Sequence, residues 1–253
     1  MDLFLKDKVA LVTGTGKQRG NGRHIALTLA VEGCHVACVD WDFEGARSVA
    51  GEIQNMGLKS LAIKVDQSDP QQVSDAVKTI NGELGQVDIL VNNAAVGTLG
   101  TIIKPQLPDW EKALSIDLSG PFYWTRETMG SMLERKWGRI INISSMSGVL
   151  GSFGQCGYSA SKGGLIALTK TAALEGARHN VTANAVSLGS IATELFDQIR
   201  PDMQERILNS CAMQKPGQPQ DVGNIVAFLA SDRAAYITGA NIIVDGGMNL
   251  FVY

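Results

Sequence analysis

The sequence predicts a doubly wound α/β fold: one parallel sheet of about seven strands with helices on both faces. Three observations carry this. Seven short β-branched runs recur along the chain, each continuously apolar rather than alternating, as strands are when both sheet faces are covered. Between them lie stretches with apolar residues at helical spacing. A glycine-rich segment, TGTGKQRGNG at 13–22, stands between the first strand and the first helix, at the strand end where such sheets bind ligands.

In order, KVALVT (8–13) leads through the glycine loop into a helix over 21–33. HVACVD (35–40) is followed by a helix over 42–56, SLAIKVD (60–66) by 70–83, and VDILVN (87–92) by 110–135. GRIINIS (138–144) precedes 157–178, VTANAVS (181–187) precedes 219–230, and NIIVD (241–245) closes the series. The alternation shows no linker, so residues 1–253 read as a single domain. The segment 190–218 departs from the pattern by placing mixed residues between a strand and the next helix. Long insertions at that edge are usually lids or binding loops.

Composition narrows the function. Apolar residues make up 45% of the 253 and charged residues 19%, which is globular and not a disordered chain. A net charge of -3 with no basic run argues against nucleic acid. No apolar run reaches membrane-spanning length. The opening MDLFLKDKVALVT lacks the order of a signal peptide, and Cys34, Cys38, Cys156 and Cys211 are scattered with no C-x-x-C. A reducing cytoplasm is the expected location. His24, His35 and His179 are far apart, so no metal site is expected.

The glycine loop is not a nucleoside-triphosphate loop, because Leu11 stands where that pattern needs glycine and Gln18 follows Gly16-Lys17. It fits a dinucleotide turn with its third glycine late, at Gly20. Glycines there let the backbone approach a pyrophosphate, whose charge the helix start favours. Asp40 ends the second strand, 18 residues past Gly22, where a carboxylate can accept hydrogen bonds from an adenosine ribose. With Asp42 beside it, it would repel a 2'-phosphate. Lys17 and Arg19 argue the other way. NAD is favoured over NADP, since the ribose hydroxyl is the expected partner of Asp40.

Downstream, Tyr158 and Lys162 share a helix face, and Ser145 lies 13 residues before Tyr158 at the carboxyl end of the fifth strand. With these the chain resembles the short-chain dehydrogenase/reductase family over nearly its whole length, and so a Rossmann fold. TGTGKQRGNG resembles that family's T-G-x-x-x-G-x-G turn, with five residues rather than three between Gly14 and Gly20. Val65-Asp66-Gln67 resembles its adenine-binding segment, Asn92 to Ala95 its N-N-A-G, Ser145 with Tyr158-x-x-x-Lys162 its catalytic group, and Asp245-Gly246-Gly247 its last strand end. Two further departures stand out. Ser187-Leu188-Gly189 replaces the usual x-Pro-Gly, and Asp117 stands where the family usually has a catalytic Asn.

The resemblance implies hydride transfer between nicotinamide C4 and the carbon of an alcohol or ketone, with Tyr158 as general acid/base and Ser145 donating to the substrate oxygen. A tyrosine titrates near 10; bringing it near 7 takes roughly 4 kcal/mol, expected from Lys162 and the positive nicotinamide. The resemblance also implies NAD contacts from Gly14, Arg19, Gly20, Asn21, Gly22, Asp40, Asp66, Gln67, Asn93, Tyr158, Lys162, Ile191 and Thr193. Ser145, Met146, Gln155, Tyr158 and Leu188 would meet the substrate.

Val149, Phe153, Leu195 and Phe196 add an apolar tone that points to a hydrophobic or cyclic secondary alcohol. The alternatives are an NADPH-dependent 3-oxoacyl-thioester reductase, which GQCGYSASK also resembles, and a dinucleotide-sensing protein without catalysis. By analogy with the family, the chain is expected to form a homodimer or homotetramer through 110–135 and 157–178, with Phe251 to Tyr253 packing on a neighbour.

Overall fold

The computed structural model describes residues 2–104 and 106–250, so the terminal Phe251 to Tyr253, expected at a subunit contact, lie outside the described residues. In chain order the elements begin β1 (Val9–Thr13), α1 (Asn21–Val31), β2 (His35–Asp40), α2 (Phe43–Asn55), β3 (Ser60–Lys64), α3 (Pro70–Glu83) and β4 (Ile89–Asn92). Then come α4 (Leu107–Leu114), a π-helical turn (Ser115–Ser119), α5 (Gly120–Arg135), β5 (Gly138–Ser145), α6 (Met146–Leu150) and α7 (Cys156–Gly176). The chain closes with β6 (Val181–Leu188), α8 (Glu194–Asp197), α9 (Pro201–Asn209), α10 (Pro219–Ala230) and β7 (Asn241–Val244).

The strands form one sheet in the order β3-β2-β1-β4-β5-β6-β7. Every pair is parallel. This is the expected doubly wound Rossmann fold, and the order reverses between β1 and β4, the switch point at which such sheets open a crevice. Alternate residues of each strand serve opposite faces. Ala10, Val12, Val36, Cys38, Ile141 and Val186 pack under α1, α2 and α10. Val9, Leu11, Ala37, Val39, Ile140 and Ala183 pack under α3, α5 and α7. Among the described residues no helix is long and apolar enough to cross a membrane.

Four segments differ from expectation, each for a local reason. The third strand stops at Lys64 rather than residue 66 because β2 is its one neighbour, and the pairing ends at Asp40 with Lys64. The helix expected over 110–135 begins at Leu107, with Pro108 in its first turn, and is broken by the π-helical turn. Pro121 has no N–H to give the Asp117 carbonyl four residues back, and Gly120 instead donates to Ser115, five back. Ser145 accepts from the Ser147 N–H and so starts the short α6, which the apolar pattern does not announce. The segment 190–218 is partly helical, with α8 and α9 in it.

Candidate active site

The carboxyl ends of β1, β2, β4, β5 and β6 converge on a cleft of about 1170 Å³, above the few hundred to about 1,000 Å³ of an ordinary ligand pocket. Its lining holds Gly14, Gly20, Asn21, Asp40, Asp66, Gln67, Asn93, Ser145, Tyr158, Lys162, Leu188, Ile191 and Thr193, so most of the expected site residues come together.

At one end stands the glycine loop. Gly14 has φ +74°, and a Cβ there would lie 2.7 Å from Asn93 Nδ2. Gly20 caps α1 with no side-chain hydrogen bond, leaving first-turn N–H groups for an anion such as a pyrophosphate. Asp40 is held at the end of β2, its Oδ2 accepting from the Gly16 N–H at 2.6 Å and its Oδ1 from the Asp42 N–H at 2.8 Å. The cleft therefore fits a dinucleotide, with a fixed carboxylate where a ribose would lie.

Several expected contacts are otherwise engaged. Gly22 does not line the cleft; it is buried where α1 crosses the end of β1, and a Cβ on it would lie 2.0 Å from the Gly14 carbonyl oxygen. The Arg19 guanidinium pairs with Asp197 and its N–H donates to Glu194 at 3.1 Å, so it reaches across to α8 rather than into the cleft. Gln67 donates to the carbonyls of Ala94 and Ile116 and accepts from the Trp124 indole, which commits its amide to the fold. Asn93 donates to the carbonyls of Thr13 and Gly14, joining β1 to β4. Asp66 accepts from the Ser68 N–H and hydroxyl.

At the other end, Tyr158 and Lys162 extend from the first turns of α7. Lys162 Nζ donates to the Ile143 carbonyl at 2.8 Å and lies 5.7 Å from the Tyr158 ring centroid. Burial pushes the Tyr158 phenol up to about 12, against the Ser145 hydroxyl and with the help of the Asp117 carboxylate. The expected lowering by Lys162 is thus not what the protein groups produce. Burial lowers Lys162 in turn, opposed by Asp117. Asp117 is pushed up to about 6 by burial, opposed by Lys162, the Val96 N–H and Ser161.

Two residues expected at the substrate do not line the cleft. Met146 begins α6 and is buried outside the cleft, and Gln155 is also outside it, accepting from the Ser147 hydroxyl at 3.2 Å. Phe153 projects into solvent at 96% exposure and Val149 is also exposed, whereas Leu195 and Phe196 of α8 do line the cleft. Sequence reasoning missed Trp41, Val96, Lys112 and Ile116 in the lining. Trp41 had a signal, its place directly after Asp40 at a strand end. Lys112 had none.

The sequence model of a family described as enoyl-(acyl carrier protein) reductase matches residues 14–249. Nodulation protein G of Azospirillum brasilense is 40% identical over 247 residues, 97% of this chain and 99% of that protein. The 3-oxoacyl-[acyl-carrier-protein] reductase FabG of Staphylococcus aureus is 40% identical over 243 residues, 95% of this chain and 98% of the relative. That of Aquifex aeolicus is 38% identical over 249 residues, 98% and 100% of the two chains.

Proposed function

The chain belongs to the short-chain dehydrogenase/reductase family, and from that premise we propose that it reduces a 3-oxoacyl thioester to the 3-hydroxy form, reversibly, with NAD(H). The observation that carries the chemistry is one cleft holding Tyr158, Lys162 and Ser145 at one end and the loop-bound Asp40 at the other. A hydrophobic or cyclic alcohol was the first expectation. The names of the relatives favour the thioester instead.

The dinucleotide supplies a hydride at nicotinamide C4. Tyr158, held protonated by burial, would give its phenolic proton to the substrate oxygen, which suits the reductive direction. Ser145 would donate a hydrogen bond to the same oxygen as charge develops there. Lys162, tied to the Ile143 carbonyl, would carry positive charge beneath both. Retention of both Tyr158 and Lys162 in the cleft weighs against a sensor without catalysis.

The preference for NAD(H) over NADP(H) rests on Asp40, whose carboxylate would repel a 2'-phosphate. NADH at 100 times its dissociation constant is expected to stabilise the protein by about 2.7 kcal/mol, and NADPH at the same concentration by far less. In Asp40→Ser the two shifts should approach each other. A larger shift with NADPH than with NADH in the wild type would overturn the cofactor assignment, and no turnover of a short 3-oxoacyl thioester with either would overturn the substrate.

A further inference from the structure

The glycine loop and α8 both line the cleft, Lys17, Gly20 and Asn21 from the loop and Glu194, Leu195 and Phe196 from the helix, and charge joins the two. The Arg19 backbone N–H donates to Glu194 Oε1 at 3.1 Å, and the Arg19 guanidinium pairs with the Asp197 carboxylate. Neither Arg19 nor Asp197 lines the cleft itself. Arg19 follows three residues after Gly16, whose N–H is bonded to Asp40, the carboxylate fixed where a ribose would lie. A guanidinium in this loop is well suited to a 2'-phosphate, because it grips phosphate oxygens bidentately. Lys17, the other loop cation, lines the cleft but offers a single point charge. The structure commits the better phosphate ligand of the two to a carboxylate on α8.

We propose that Asp197 is a specificity-determining residue for the dinucleotide: it holds the Arg19 guanidinium on α8 and so withholds it from the 2'-phosphate of NADP(H), while Glu194 seats the Arg19 backbone. This deepens the proposed preference for NAD(H) and rests on it. Asp40 opposes the phosphate by direct repulsion at the ribose. Asp197 opposes it by engaging the cation that would offset that repulsion. NADH has no 2'-phosphate and binds with the pair intact. NADPH must either forgo the guanidinium or break the pair, and its affinity falls by up to what the pair is worth. The two side chains are 54% and 55% exposed, so that worth is the modest one of a solvated ion pair, a factor of roughly two to five in affinity. Asp197 acts through Arg19 and touches neither substrate nor dinucleotide.

The test is equilibrium binding without substrate, read from the fluorescence of NADH and of NADPH at low ionic strength, where an exposed pair is least screened. It compares the wild type, Asp197→Asn, Arg19→Ala and the double variant. Asp197→Asn should lower the ratio of the NADPH to the NADH dissociation constant by roughly two- to fivefold. Loss of a negative charge favours every anion, so the Arg19→Ala background is the control: there the same Asp197→Asn change should leave the ratio nearly as it was. An equal drop in both backgrounds, or no drop in either, overturns the proposal. Equal tightening of NADH and NADPH in Asp197→Asn overturns it too, because the freed guanidinium then serves the pyrophosphate common to both. Arg19 and Asp197 are exposed, so all four proteins should fold, which thermal melts check. A wild type that binds NADPH more tightly than NADH fails the cofactor assignment, yet the comparison between backgrounds still reads whether Asp197 restrains Arg19. Binding of neither dinucleotide overturns both.

Discussion

Tyr158→Phe should lower turnover by about 10²- to 10⁴-fold, the range a positioned acid or base contributes, with the protein still folded and still stabilised by NADH. The ring remains to pack against its neighbours, and Lys162 keeps its bond to the Ile143 carbonyl, so the change removes one hydroxyl and little else. In the proposed mechanism that hydroxyl is the proton source. Burial holds it in the protonated form at neutral pH, and the Ser145 hydroxyl and Asp117 carboxylate pull it in opposite directions. The decisive comparison is single-turnover hydride transfer alongside thermal stability with NADH. Unchanged transfer would remove Tyr158 from the chemistry. A lost NADH shift together with lost transfer would instead make it a binding group.

What the sequence made legible, and what it hid, divides by range. Continuous apolar runs in β1, β2, β5 and β6 report burial on both faces, so the strands and their alternation with helices followed from local pattern. The convergence of Asp40, Tyr158 and Lys162 followed as well, because Asp40 ends β2 and the other two stand in the first turns of α7, the long helix after β5, on the edge where a parallel sheet gathers its strand carboxyl ends. Partnership across the cleft did not follow. Arg19 looked like a phosphate contact until α8 brought Asp197 to it, over a separation that no local pattern encodes. Gln67 and Asn93, expected at the dinucleotide, line the cleft, and the carbonyls that satisfy their amide nitrogens are ones no local pattern announces. The burial of Asp117 arises from a π-helical turn whose cause, Pro121, sits inside an otherwise ordinary helical pattern.

Gly22→Ala should be among the most damaging single substitutions in the chain, because the methyl group would meet backbone rather than a movable side chain. A Cβ at this position falls 2.0 Å from the Gly14 carbonyl oxygen and 2.6 Å from Asn93 Nδ2. Asn93 cannot swing away freely, since it donates to the carbonyls of Thr13 and Gly14 and ties β1 to β4. Relief therefore requires α1 to withdraw from the sheet. Overpacking of this kind costs about 3 kcal/mol or more, which in a chain of this size lowers Tm by roughly 6–12 °C. Moving α1 also displaces the first-turn N–H groups from the cleft, so the stabilisation by NADH should shrink at the same time. Gly51, inside α2 with nothing within 4 Å of its added Cβ, is the matched control. Gly51→Ala should stabilise by about 0.5–1 kcal/mol through helix propensity alone. Calorimetry of the two variants with and without NADH separates the cases. If Gly22→Ala kept both its Tm and its NADH shift, the contact between α1 and the Gly14 carbonyl would not be what seats the dinucleotide loop.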